Sequence, residues 1–429
     1  MTTPWLARRS QQPTNRQHDQ RTPWQRDRAR ILHSAAFRRL QAKTQIMGVG
    51  QNDFYRTRLT HSLEAAQIGT GLVNQLRRRY ADHAELATVL PDDSLIEALC
   101  LAHDIGHPPF GHGGETALNY KMLHAGGFEG NGQTFRIVAR LEPYTEHHGM
   151  DLTRRTLLGL LKYPVLPPTQ LGDNAETAPL CLTPWKAVKS VFHEDADVLD
   201  WVLAPLSAMD REQFQQVNTL PQSPWLKSQY KSLDASIMEL ADDIAYGVHD
   251  LEDAIVTGHA SFEQWQLQLP AIVAALPDSM QQLMHQVSHS LFQPEHHLRK
   301  DAIGALVNLF ITSTELYEVI PNAEEDLIRL NACLPDPQKL LLDALKQFVF
   351  KNVISQPDIQ QTRFRCQNML LRMFDAFASD PKRLLPLNTQ QRWYDADQKG
   401  LGLRVICDYI SGMTDEYAET MYQKLFGAL

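Results

Sequence analysis

LIEALCLAHDIGHPPFGHGGE, residues 95–115, joins two kinds of sequence within a few turns of chain. Leu95 to Leu101 is apolar nearly throughout, the composition of a buried helix, and it runs directly into His103 and Asp104. Gly106, Pro108, Pro109, Gly111, Gly113 and Gly114 then break the helix, so His103, Asp104, His107, His112 and Glu115 crowd one turn-rich mouth. Adjacent residues on a helix point about 100° apart, so His103 and Asp104 reach a single ion only if it sits over the helix end. Imidazole nitrogen with carboxylate oxygen suits Mn²⁺, Fe²⁺, Co²⁺, Ni²⁺ or Zn²⁺, and Mg²⁺ less well.

Further ligands are sought on helical segments to either side. His61 lies in RLTHSLEAAQIG (58–69), where Leu63, Ala66 and Ile68 are expected to turn it inward. Downstream, Ile237, Leu240, Ala241, Ile244, Val248 and Leu251 recur at helical spacing and form an amphipathic stripe. Asp242, Tyr246 and Asp250 stand at i, i+4 and i+8 beside that stripe, an acid, a phenol and an acid along one ridge. They read as a cavity wall.

The chain as a whole reads as all-α, with long stretches in which apolar residues return every three or four positions. Its 429 residues with 43% hydrophobic and 21% charged side chains exclude a disordered or fibrous protein. Five scattered cysteines without a C-x-x-C pair read as thiols of a reducing compartment, and no apolar run approaches a membrane span. A cytoplasmic location is expected. Net charge is −9, yet residues 1–40 hold nine arginines against two aspartates, a local +7 that leaves −16 on the other 389 residues. So acidic a body does not suit a protein that coats nucleic acid, although the basic segment keeps single-stranded nucleic acid open as an added partner. The expected organisation is a basic arm over 1–25, a core over 26–260 and a C-terminal helical region over 261–429, with prolines making 164–184 a loop or lid and Pro221 and Pro224 a second break.

In order, His61, His103–Asp104 and Asp242 resemble the H…HD…D signature of HD-domain phosphohydrolases. Within them, RLTHSLEAAQIG, HDIGHPPFGHGGE, GFEGNGQTFRI, LTRRTLLGLLKYP, LADDIAYGVHDLEDA and CDYISGMTDEYA look like the deoxynucleoside triphosphate triphosphohydrolases, from about Arg21 to Gly427. The resemblance implies an HD helical core with additional C-terminal helices. It implies one divalent metal per subunit on His61, His103, Asp104 and Asp242, with Mn²⁺ or Mg²⁺ supporting activity. The implied reaction splits a dNTP into deoxynucleoside and inorganic triphosphate and so controls dNTP pools. His112 and Glu115 are then a proton-transfer pair with His107 on the phosphate side. Gln45 and Asp250 hold the 3′-hydroxyl, Tyr246 packs against C2′, and Arg58 and Lys189 meet phosphates. Asn131 and Gln133 line the base pocket or satisfy their own loop. A homo-oligomer, dimer or hexamer, and no membrane association complete the expectation. The alternatives are another HD phosphohydrolase, such as a nucleotidase or nucleoside monophosphate phosphatase, and a non-catalytic nucleotide or single-strand binding regulator.

Overall fold

The computed structural model describes residues 3–11, 18–45, 56–168, 182, 187–218 and 227–427. Most of the proline-rich stretch 164–184, Cys181, and the break at Pro221 and Pro224 lie outside them. The fold is predominantly α-helical, as expected. Among the described residues the strands form two small antiparallel ribbons, β1 (Val217–Asn218) with β2 (Lys227–Ser228) and β3 (Glu315–Glu318) with β4 (Leu330–Cys333), the latter in register Glu315 to Cys333.

The centre is a packet of four helices. α1 (Pro23–Leu32) and α2 (Arg58–Arg79) both pack on α3 (Asp93–Ala102). Capping fixes their starts: Thr22 and Thr57 each accept from a backbone N–H three residues on, and Asp92 accepts from Ser94 N–H. α4 (Gly111–Lys121), α5 (Gly130–Arg136) and α6 (Arg154–Leu160) follow. α7 (Leu233–Ile244) then lays its stripe against α2 and α3, with Ile237, Ala241 and Ile244 excluded from solvent beside Ile68, Leu72, Leu95 and Leu99. A π-helical turn, Ala245–His249, carries α7 into α8 (Asp250–Val256).

The larger hydrophobic core is continuous across residue 260, with Leu251, Trp265 and Phe348 in one cluster. α9 (His296–Ser313) covers α2, and α10 (Asp336–Val349) packs against the π-helical turn. A second core forms where α11 (Pro357–Ser379) lies along α4, and α12 (Gly402–Ser411) and α13 (Asp415–Phe426) close over α11. Leu118, Phe128, Leu370, Phe374 and Ile406 fill it. The C-terminal helices thus form one wall of the region that holds His112.

Three local expectations change. Gly111, Gly113 and Gly114 do not break helical structure: with His112 and Glu115 they lie on α4, and the turn-rich stretch is 103–110. Leu63 is 49% exposed, because two residues from His61 is more than half a turn and places it on the opposite face; Ser62, Ala65, Ala66 and Ile68 are the buried neighbours. The arginine-rich start is held to the body over its described residues. Trp5 is buried, Arg8 pairs with buried Asp27 at 2.6 Å, Arg9 and Arg30 bond the carbonyls of Ala139 and Met150, and Arg28 pairs with Glu97. Among the described residues, no helix is long and apolar enough to cross a membrane.

Candidate metal centre and substrate cleft

His103 is the residue at which α3 ends, and the loop after it must pass close to α5. Gly106 makes that passage possible: a Cβ there would lie 2.2 Å from both the Gly130 carbonyl and the Thr134 nitrogen, and its N–H donates to Thr134 Oγ1 at 3.0 Å. Phe110 and Gly111 then take left-handed conformations, φ 63° and 56°, to start α4 in a new direction. Phe110 N–H is held by Asp415 Oδ1 at 2.9 Å, and Asp415 Oδ2 also accepts from Thr44 N–H, also at 2.9 Å. The histidine-bearing loop is therefore fixed from α5 on one side and α13 on the other.

His61 from α2, His103 from α3 and Asp242 from α7 each bring one ligand atom within 4.8 Å of the others. His61 Nε2 lies 3.0 Å from Asp242 Oδ1, and His103 Nε2 lies 3.5 Å from the same oxygen. His103 Nδ1 sits 2.6 Å from the Cys100 carbonyl, which accepts its proton and leaves Nε2 as a bare lone pair. That buried lone pair has no hydrogen-bond partner and faces carboxylate oxygens, so this donor set fits a divalent cation. Asp104 stands beside the trio, Oδ1 3.4 Å from His103 Nε2 and 3.0 Å from His107 Nδ1. Its Oδ2 accepts from Arg58 Nη1 at 2.6 Å. Arg58 is thus engaged with Asp104 at the first turn of α2.

Charge around the trio is dense. Burial raises the pKa of the Asp104 and Asp242 carboxyls, but Arg58, His103 and His107 for the first and Lys162, His103 and His61 for the second hold both well below the usual range. Burial disfavours charge on His61, yet Asp242, Asp250 and Asp104 raise it to about 9. Lys162 Nζ donates to Asp242 Oδ2 at 3.1 Å. This lysine escaped the sequence reading although it stands in LTRRTLLGLLKYP; its one signal was a cation set directly after the buried apolar end of α6.

On the far side of Asp104, the rings of His107 and His112 are 5.5 Å apart. His112 Nδ1 contacts Glu115 Oε2 at 3.0 Å while its imidazole stays 65% exposed. Glu115 Oε1 accepts from Gly130 N–H at 2.8 Å, and Lys189 Nζ is 3.8 Å away. Burial would raise the Glu115 carboxyl, but Lys189, His112 and His107 keep it well below the usual range. Lys189 itself donates to Glu129 at 2.7 Å, which bridges the two acids with one cation.

Asp250 is 1% exposed, and neither carboxylate oxygen has a protein hydrogen bond of good geometry. Burial pushes it up to about 6, against the pull of His61, Arg56 and the nearby Gln45 amide. Tyr246 and Asp242 are each partly exposed. The ridge read from spacing is not a plain α-helix: the π-helical turn between Asp242 and Asp250 adds a residue to that turn and takes back part of the forward rotation. Gln133 is 1% exposed and donates to Asp408 at 3.1 Å, its Oε1 without a partner, and half-buried Asn131 donates to Glu129 at 2.7 Å.

Comparison with known proteins bears on this arrangement. Residues 58–154 match the HD domain, and residues 332–424 match the phosphohydrolase-associated domain. The chain is 56% identical to a deoxyguanosinetriphosphate triphosphohydrolase-like protein of Shewanella sp. (strain MR-7), over 98% of this chain and 96% of that one. Proteins with the same description from Shewanella sp. (strain ANA-3) and Shewanella loihica are each 55% identical, over 98% and 99% of this chain and 96% and 97% of theirs.

Proposed function

The chain belongs to the HD-domain family of deoxyguanosinetriphosphate triphosphohydrolase-like proteins, and from that premise we propose that it hydrolyses dNTPs to deoxynucleoside and inorganic triphosphate. Phosphohydrolase chemistry follows from the family. The finer reading rests on one observation: the Asp250 carboxylate is buried beside the metal-competent trio with neither oxygen in a well-formed protein hydrogen bond, the Gln45 amide being the nearby donor. A buried carboxylate short of donors is costly unless a ligand supplies them, and a sugar hydroxyl does. Asp250 and Gln45 hold the 3′-hydroxyl, and Tyr246 packs where a 2′-hydroxyl would project.

His61, His103 and Asp242, with Asp104 adjoining, would hold one divalent ion, whose charge would polarise the α-phosphate toward attack by water. Arg58, Lys162 and Lys189 bring positive charge to the phosphate side. Glu115 fixes the His112 ring through Nδ1, which leaves Nε2 as the atom that exchanges a proton with water or the leaving 5′-oxygen, His107 lying next to it.

The test is product analysis by ion-exchange chromatography after the Mn²⁺-loaded protein meets each of the four dNTPs and four NTPs. Triphosphate and deoxynucleoside from a dNTP are the expected products; orthophosphate alone replaces this reading with a nucleotidase. Light scattering on the same preparation checks the expected dimer or hexamer.

A further inference from the structure

Arg56 stands two residues before α2, its side chain 14% exposed. Its Nε donates to Glu64 Oε1 and Oε2 at 2.9 and 3.0 Å, Nη1 to the His249 carbonyl at 2.9 Å and to Asp253 Oδ1, and Nη2 to Glu252 Oε2 at 3.1 Å. Four of the five N–H groups of the guanidinium are thereby engaged. Burial disfavours its charge, but Glu64 and Asp253 hold its pKa above the ordinary value. A surface groove of about 480 Å³ lies against it, lined also by Gln67, Lys300 and Ile303 and, among the described residues, by none of those placed in the reaction site. So engaged and so placed, Arg56 is not a phosphate ligand.

Its acceptors bracket Asp250 without including it. The His249 carbonyl comes immediately before that residue, and Glu252 and Asp253 stand two and three residues after it, so the guanidinium grips the start of α8. At the other end Glu64 lies on α2 three residues after His61, on the same helical face. His249 Nδ1 lies 3.1 Å from Glu64 Oε2, a second tie between the same two elements, and Glu252 Oε1 pairs with Lys300 of α9 at 2.8 Å. The π-helical turn Ala245–His249 interrupts the regular hydrogen-bond ladder just before Asp250, so the placement of α8 needs contacts beyond its own ladder.

We propose that Arg56 is a positioning residue: without touching substrate it fastens α8 to α2, and so sets the Asp250 carboxylate at the separation from His61 that a bound 3′-hydroxyl requires. The proposal rests on the dNTP reading of the adjoining site. A planar fork serves four acceptors in fixed directions where a lysine ammonium is a point charge on a flexible stem, so the role is specific to arginine. Misplacing a binding group by about an ångström costs on the order of a hundredfold in rate.

The deciding measurement is steady-state kinetics of the full-length Mn²⁺-loaded protein, wild type, Arg56→Met, Arg56→Lys and Glu64→Ala, on a dNTP and on the same nucleotide lacking its 3′-hydroxyl. Amide hydrogen exchange over residues 245–253, read by mass spectrometry, accompanies it. Both Arg56 variants are expected to lower kcat/KM for the dNTP by about tenfold or more, chiefly through KM, and to change that for the 3′-deoxy nucleotide by less than about twofold. Exchange over 245–253 is expected to quicken. Glu64→Ala, at a partly exposed position, severs only the α2 end and should act more weakly in the same direction, which keeps the test valid if the Arg56 variants fold poorly. Equal losses on both nucleotides mark a merely structural role and overturn the proposal, as does exchange that no variant moves. Triphosphate release by wild type with a ratio between the two nucleotides that no variant shifts sinks the positioning role and keeps the reaction. Absence of triphosphate from any dNTP with wild type sinks the reaction and with it the assignment to a sugar, and quickened exchange in Arg56→Met then keeps the fastening of α8 to α2.

Discussion

His61 Nε2 and Asp242 Oδ1 meet at 3.0 Å although 181 residues separate them, because α2 and α7 pack side by side in the central helical packet. With His103 Nε2 3.5 Å from the same oxygen, the three offer ligand atoms that could hold a cation. His103→Ala and Asp242→Ala are each expected to abolish stoichiometric Mn²⁺ binding and dNTP turnover together. Metal content by mass spectrometry after dialysis checks this, and retained metal in either variant removes that residue from the ligand set.

The proposed sugar recognition assigns two residues different signatures. Tyr246→Ala is expected to raise the ratio of NTP to dNTP turnover, since the ring that excludes a 2′-hydroxyl is gone. Asp250→Asn is expected to lower kcat/KM for dNTPs by about tenfold to a hundredfold, the worth of a charge-assisted hydrogen bond. The same change should scarcely affect a 3′-deoxy substrate, and equal losses on both substrates would contradict the assignment.

Lys43 is buried and donates to the carbonyls of His107 and Ser411. Burial lowers its pKa to about 7, with Arg58 and Arg39 adding to the effect and Asp415 and Asp104 opposing it. A depressed lysine binds fewer protons folded than unfolded between about 7 and the ordinary value of 10.5. Its contribution to stability therefore rises with pH across that window and is least favourable below 7. Lys43→Met is expected to flatten the slope of unfolding free energy from pH 7 to 10, measured by urea denaturation.

Arg155 and Asp234 form a fully buried pair, Nε to Oδ2 at 2.6 Å and Nη2 to Oδ1 at 2.9 Å, that fastens α6 to α7 behind the site. Arg155→Leu leaves Asp234 charged in the core and is expected to cost about 3–5 kcal/mol. The double change Arg155→Leu with Asp234→Leu should recover most of that loss, and a double variant no more stable than the single one would show that the pair itself supplies the stability.

The sequence already carried the helical class, because apolar spacing records which face of each segment is buried. It also carried the chemistry of the candidate site, because His103, Asp104, His107, His112 and Glu115 stand within one short block, although only 103–110 is loop and His112 and Glu115 lie on the first turns of α4. His61, Asp242, Tyr246 and Asp250 were legible as types at helical positions, and the resemblance to a family supplied their order.

Tertiary structure decided what spacing cannot. That Arg58 pairs with Asp104, that Lys162 reaches Asp242, and that Gln133 turns away to Asp408 depend on which distant helices pack together, and periodicity holds no information about a partner. The π-helical turn before Asp250 packs on α10 so closely that a Cβ at Gly247 would lie 2.8 Å from Leu342 Cδ1, a partner that periodicity does not reveal. The sequence by itself determined which atoms are available for chemistry; the folded arrangement of helices decided which of them face one another, because only close packing brings residues hundreds of positions apart within a few ångströms.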